Sequence, residues 1–397
     1  MKILVLNCGS SSLKYQLINI NDESVLAKGV VERIGIEDAF LEHQLTGEEI
    51  VIKAEIPDHN VAIEMVIDVL LKKEYAVLQS MDEINAVGHR VVHGGEKFAS
   101  STLITDEVIK QIEEVSDLAP LHNPHNLSGI KVCAELMPGT PQVAVFDTAF
   151  HQTMPRKAYM YALPYQYYQN YGIRRYGFHG TSHKYVAQRA AVMLGRPIDE
   201  LKIITCHLGN GASIAAVKNG QSIDTSMGLT PLEGLVMGTR CGDIDPAIIP
   251  FLMDKEELTI QEIDNIINKQ SGLYGVSGIS NDSRDIDSAA GKGNEKAQTA
   301  LEIFDYRVAK YIGAYMVAMG GVDAIVFTAG IGENQSSTRK VILEYLSFLN
   351  IELDQAANQV RKQEIDITTP DSKIKVLVIP TNEELMIARD TKEVIRR

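Results

Sequence analysis

Residues 2–17 read Lys2-Ile3-Leu4-Val5-Leu6-Asn7-Cys8-Gly9-Ser10-Ser11-Ser12-Leu13-Lys14-Tyr15-Gln16-Leu17. An apolar run, a small polar turn and a second alternating run predict two strands joined by a tight turn. Laying Lys2-Ile3 on Lys202-Ile203 sets Gly9 on Gly209, and the second stretch follows the same plan through its Gly-rich turn. Each half of the chain therefore starts with the same unit, which predicts a duplicated fold. A further echo sets Val143-Ala144-Val145-Phe146-Asp147 beside Ala324-Ile325-Val326-Phe327-Thr328.

Between these landmarks the pattern predicts a second hairpin over 39–56, turning at Thr46-Gly47-Glu48, and an amphipathic helix over 61–71. A strand over 84–92, helical segments near 106–115 and 126–136, and a strand over 142–146 follow. Thr181 and Ser182 are candidate N-caps for a helix over 182–194. Leu301, Phe304, Val308, Tyr311, Ile312, Tyr315 and Met319 recur at steps of three and four, the mark of a long helix with one apolar face. Residues 311–332 are too interrupted to cross a membrane, being broken by Gly320-Gly321 and carrying Asp323. Residues 382–397 read as a closing helix. The expected division is a first domain of 1–150, with 382–397 packing on it, and a second, nucleotide-binding domain of 151–381.

With 38 Lys and Arg against 52 Asp and Glu, the chain of 397 residues carries a net charge of −14. That balance argues against a nucleic-acid backbone or a membrane surface as partner, since both need clustered cations. Anionic substrates would need local basic residues. Cys8, Cys133, Cys206 and Cys241 are scattered with no CxxC pair, and the opening apolar run is too short for a secretory leader. These features predict reduced thiols and a cytoplasmic location.

Four turns rich in Gly or small residues stand out: Asn7 to Ser12, His207-Leu208-Gly209-Asn210-Gly211, Ser277-Gly278-Ile279-Ser280 and Gly330-Ile331-Gly332-Glu333-Asn334. Each is read as following an apolar strand, where backbone N–H groups can approach phosphate oxygens. Their spread over both halves suggests a ligand held between domains. GxxxxGK[ST], GxGxxG, HRD and DFG signatures are all missing, so nucleotide binding would use another scaffold. His89 and His93, and His179 and His183, are each four apart, a helical zinc spacing. However, Val91-Val92 reads as strand and Gly180 disfavours a helix, which makes these hydrogen-bonded or core histidines. Arg90 and Arg240 sit in Gly-flanked turns and suit two-point contact with a carboxylate or phosphate. Asp147, ending a strand, and Glu383, opening the last helix, are the acids best placed for Mg2+ or its waters.

These residues resemble the acetokinase family, within the superfamily shared by sugar kinases, actin and the heat-shock chaperone ATPases. The likeness covers the whole chain, through residues 7–14, Gly88 to Gly95, Phe146-Asp147-Thr148-Ala149-Phe150-His151, Tyr176 to His183, His207 to Gly211, Asp224 to Asp243, Gly330 to Asn334 and Thr381-Asn382-Glu383-Glu384. The resemblance implies an α/β, duplicated ribonuclease-H-like, actin-like ATPase fold of two mixed-sheet domains with an active-site cleft between them. It further implies a homodimer that reversibly converts ATP and acetate to ADP and acetyl phosphate with Mg2+, for which Mn2+ can substitute. By the same resemblance Asn7 and Glu383 are metal positions, and Asp147, His179 and Arg240 form the catalytic group. Arg90 contacts acetate, with Val92, Leu121, Phe178 and Pro231 around its methyl group. Lys14, His207, Leu208, Gly209, Asn210, Gly211, Asp282, Ser283, Arg284, Gly330, Ile331, Gly332, Glu333 and Asn334 are the ATP contacts.

Acetate is ionised at neutral pH, so a general base is not required. The difficulty is bringing one anion to another, which positioning and charge neutralisation by Arg90, Arg240, His179 and Mg2+ would overcome. A propionate or butyrate kinase is the nearest alternative. A non-enzymatic actin-like nucleotide-binding protein and a zinc hydrolase are the alternatives from other classes.

Overall fold

A computed structural model describes residues 1–45, 47–74 and 77–397. They fall into two compact units, residues 1–150 with 382–397, and residues 151–381.

In the first unit β1 (Lys2–Cys8) and β2 (Ser12–Asn19) form the expected hairpin, with Leu4 opposite Leu17 and Cys8 opposite Leu13. The antiparallel run continues through β3 (Ser24–Glu32), β4 (Phe40–Leu45) and β5 (Glu48–Lys53). The β4–β5 hairpin matches the second one expected; Thr46 of its turn lies outside the described residues. On the other side of β1, β6 (Ile84–Val91) pairs parallel, followed by β7 (Thr102–Leu103) and β8 (Gln142–Phe146). Among the described residues the order is β5-β4-β3-β2-β1-β6-β8-β7.

Strand alternation divides the sheet's two faces. Leu4 and Leu6 join Ala62, Ile63 and Val66 of the His59–Leu71 helix, and Val132 and Cys133 of the Asn123–Leu136 helix, in one core. Asp58 caps the first of these helices. The second starts earlier than its apolar pattern indicated, because Pro124 is tolerated in a first turn whose N–H groups are unpaired anyway. On the opposite face, Gly88 pairs with Val5 under the Glu383–Val394 helix. A Cβ at Gly88 would stand 2.5 Å from Thr391 Oγ1 and 2.7 Å from Ile387 Cγ2, so only glycine permits this approach.

In the second unit β9 (Lys202–Leu208), β10 (Ala212–Lys218) and β11 (Gln221–Thr225) run antiparallel, while β12 (Ala324–Thr328) and β14 (Lys375–Val378) add parallel to β9 and β13 (Ile365–Asp366) closes the edge. The order β11-β10-β9-β12-β14 reproduces β3-β2-β1-β6-β8 in direction and sequence, which bears out the duplication. The finer echo was misplaced. The counterpart of β12 is β6, since each pairs directly with the first strand of its unit, whereas β8 corresponds to β14. Short, fully buried apolar strands carry no mark that tells second from third.

The long helix spans Glu295–Met319, capped by Asn294 and ended by the left-handed Gly320. Phe304, Val308, Ile312, Tyr315 and Met319 are its buried stripe, while Leu301 and Tyr311 are only partly covered. Among the described residues no helix is long and apolar enough to cross a membrane.

Candidate active site

Parallel strands deliver their C-terminal ends to one edge of a sheet, the usual place for a site. In the first unit this edge gathers Asn7 from β1, Arg90 from β6 and Asp147 just past β8. Arg90 belongs to strand β6 rather than to the turn expected for it. Its Nε donates to Asp147 Oδ1 at 3.1 Å and its Nη2 to Oδ2 at 2.5 Å, while Nη1 donates to Asn7 Oδ1 at 3.1 Å. Burial works against the guanidinium charge, but Asp147 and Glu383 outweigh it and raise the Arg90 pKa. Lys14 stands opposite Asn7 on β2.

Glu383 opens the last helix, and its Oε1 is buried without a hydrogen-bond partner. Burial lifts its carboxyl well above the ordinary range; Arg90 opposes the shift, and Asp147 and Glu384 add to it. An orphaned carboxylate oxygen beside a second carboxylate and an amide oxygen is a hard-donor set of the kind Mg2+ takes alongside waters and phosphate. The residues present therefore fit the metal.

Two buried amides that the sequence did not reveal hold this edge. Asn126 Oδ1 accepts from Val92 N–H at 3.1 Å and its Nδ2 donates to Cys8 O at 2.8 Å. Asn123 similarly clamps both backbone groups of His93. Val92 is buried, whereas Leu121 is 68% exposed. Phe178 and Pro231 belong to the second unit.

In the second unit His179, with φ of 56°, is the N-cap of a helix spanning Gly180–Leu194. Gly180 thus starts this helix instead of preventing it, and His183 lies in its first turn. The His179 and His207 rings stack at 4.1 Å between centroids. A Cβ at Gly211 would sit 3.5 Å from His179 Nε2 and 3.6 Å from Arg240 Nη1, which places both side chains beside that turn. Arg240 Nη1 donates to Pro231 O at 3.3 Å, and burial lowers its pKa from the ordinary value. Behind the rings, Ser182 Oγ lies 2.8 Å from both His207 Nδ1 and Thr381 Oγ1.

A cavity of about 820 Å³ opens in this unit against Gly209, Asn210, Asp282, Ser283, Arg284, Gly330, Ile331 and Asn334. His207, Leu208, Gly211, Gly332 and Glu333 do not line it; Leu208 is core, and Glu333 accepts from Thr381 N–H at 3.1 Å. Asn281, Asp287, Gln335, Ser336, Ser337, Arg361 and Lys362 complete the wall, unmarked by any motif. The Ser277 to Ser280 turn follows a short helix, Gly272–Ser277, not a strand. Asp282 caps the Ser283–Gly291 helix, and its bonds to Arg284 hold its carboxyl down to about 2.

His89 bonds the Gln142 side chain at 2.7 Å, and burial takes both His89 and His93 down to about 4. Among the described residues no three His, Cys, Asp or Glu are grouped to hold a metal.

The model of the acetokinase family matches residues 2–389. An acetate kinase of Halothermothrix orenii is 72% identical over 396 residues, covering 100% of both chains. The crystal structure of Porphyromonas gingivalis acetate kinase superposes with a TM-score of 0.96 at 52% identity, and a propionate kinase of Francisella tularensis with 0.92 at 46%, each covering 99% of both chains. Likeness of this extent, in sequence and in both sheets, means that the chain belongs to the acetokinase family.

Proposed function

We propose that the chain transfers the γ-phosphoryl group of ATP reversibly to acetate, giving ADP and acetyl phosphate, by direct in-line displacement. The observation that carries the reading is the Arg90 fork. A guanidinium has five N–H donors; three are committed to Asp147 and Asn7. The two that remain, one on each terminal nitrogen, suit a carboxylate. One acetate oxygen bonds to phosphorus as the bond to the ADP oxygen breaks, and no proton moves.

Asp147 spends both oxygens on Arg90, which supports an orienting role in place of a base. Arg240 and His179, side by side at Gly211, supply charge and a hydrogen bond to the transferring group. Asn7, Asp147 and Glu383 would hold Mg2+, which neutralises phosphate charge when bound. The 820 Å³ cavity takes the nucleotide, making 151–381 the nucleotide-binding domain. A cytoplasmic homodimer completes the reading.

Propionate is the competing acceptor, favoured by the similarity to a propionate kinase; one methylene discriminates by only about 1–3 kcal/mol. Acyl phosphate trapped as hydroxamate, with acetate, propionate and butyrate varied separately, decides it. The highest kcat/KM is expected for acetate. Preference for a longer acid would move the assignment, and no product with any acid would refute kinase activity.

A further inference from the structure

Arg240 sits in a hairpin-like loop whose neck is the pair Gly234 and Asp243. Asp243 N–H donates to Gly234 O at 3.0 Å, and Gly234 N–H donates back to Asp243 Oδ1 at 2.8 Å. At the tip, Met237 N–H donates to Arg240 O at 3.1 Å and Gly238 N–H to Asn210 O at 2.9 Å. The neck is held from outside by the Glu295–Met319 helix, on which Arg307 and Tyr311, one turn apart, face the loop together. Arg307 Nη1 donates to Gly234 O at 3.1 Å and to Asp243 O at 3.2 Å, and Tyr311 Oη donates to Asp243 Oδ2 at 2.7 Å. Arg307 also pairs with the same Oδ2 at 3.5 Å.

We propose that Asp243, Arg307 and Tyr311 are positioning residues for the phosphoryl transfer, a clamp on the neck of the 234–243 loop that fixes where Arg240 presents its guanidinium.

The polarity of these bonds follows from the groups themselves. Backbone and guanidinium N–H groups only donate, carbonyl and carboxylate oxygens only accept, and the phenol proton goes to the carboxylate. The path from neck to tip is short. Only Cys241 and Gly242 separate Asp243 from Arg240, and Gly242, at φ of 67°, lies so close to the outgoing limb that a Cβ would stand 2.5 Å from Gly234 O. A displaced neck therefore carries Arg240 with it. The side-chain bonds of Arg240 are long, Nη1 donating to Pro231 O at 3.3 Å and to Met237 Sδ at 3.7 Å, so its aim follows the backbone. Asn210 fixes one end of the loop and the clamp fixes the other.

The use of the clamp rests on the proposed kinase reading, whereas its geometry does not, and Cys241 reports that geometry without turnover. Cys8, Cys133 and Cys206 are buried, while Cys241 is only partly covered. Burial raises the pKa of the Cys241 thiol, Asp243 adds to the rise and Arg307 opposes it, so the variant of choice is Tyr311→Phe, which leaves both charges in place. In the full-length protein, Tyr311→Phe should raise the rate at which Cys241 reacts with dithiobis(nitrobenzoate) about tenfold, the effect of losing one bond to a charged group on local opening. Cys241→Ser identifies the reacting thiol, and the three buried thiols should stay protected. An unchanged rate, or exposure of all four thiols together, would overturn the proposal. In turnover, Tyr311→Phe should lower kcat about fivefold or more with KM for ATP within about twofold, and should cost little further in an Arg240→Ala background, since changes acting through one residue do not add. The same fold loss in both backgrounds, or no loss in either, would overturn positioning through Arg240. A faster Cys241 reaction in a protein that phosphorylates no acid would support the clamp while refuting the kinase reading, so the two failures are distinguishable.

Discussion

Asp147, at 1% exposure, would be costly as a lone charge. Breaking a buried ion pair from one side costs about 3–5 kcal/mol, because the remaining charge keeps its desolvation penalty. Arg90→Ala should therefore raise KM for acetate and lower the unfolding temperature together. Asp147→Asn, which keeps shape but releases Arg90, should lower kcat about a hundredfold through lost preorganisation; near-normal turnover would refute the orienting role. Arg240→Ala should lower kcat by about 10³-fold, as transition-state arginines do, with an unchanged circular dichroism spectrum. Arg90, Asp147 and Asn7 were singled out in the sequence by the strand ends and Gly-rich segments near them, although Arg90 lies in its strand and not in the turn. Asn126 and Asn123 were not: one amide in a helix acquires its role only from the packing that carries it to a backbone partner.

At the scale of elements, the Glu383–Val394 helix is held by a close approach that sequence pattern does not express. Gly88 reads as an ordinary strand residue, yet a methyl group there meets Thr391 and Ile387. Gly88→Ala should push the helix away at about 1–3 kcal/mol and weaken Mg2+ dependence through Glu383, seen in denaturant unfolding and metal titration of activity. The Glu295–Met319 helix contains a second hidden feature. Its stripe was legible, but Asp305 is also buried, with Oδ1 unpartnered, and burial followed by Asp287 raises its pKa from 3.8 to about 8. Between those values the folded chain binds a proton that the unfolded chain has released, so stability falls as pH rises through the window and levels off above it. Asp305→Asn should flatten that part of the slope; an unchanged pH profile of unfolding would refute the assignment. Gly180 illustrates the opposite limit. Its low helix propensity argued against a helix, but at a first turn that penalty is small, and the left-handed His179 before it sets the start.

For the whole molecule, duplication was the strongest signal because it repeats strand, turn and strand in order, whereas the misplaced echo relied on one short strand alone. The same topology makes the first unit discontinuous: the chain leaves it at Phe150, builds the second unit and returns at Asn382. The returning helix buries Leu385, Met386, Ile387 and Ala388, and Asp390 accepts from Ser101 at 2.8 Å. The cavity proposed for the nucleotide draws only on residues of the second unit. Ending the chain after Thr381 should therefore open the first unit and remove Glu383 while leaving the cavity intact, including the Thr381 bonds to Ser182 and Glu333. The expected outcome is ADP binding by calorimetry close to that of the full chain, no acyl phosphate formed, and limited proteolysis confined to residues 1–150. Retained turnover would remove Glu383 and its helix from the mechanism. Lost ADP binding would mean instead that the second unit does not keep its fold without the first, since every wall of the cavity remains in the shortened chain.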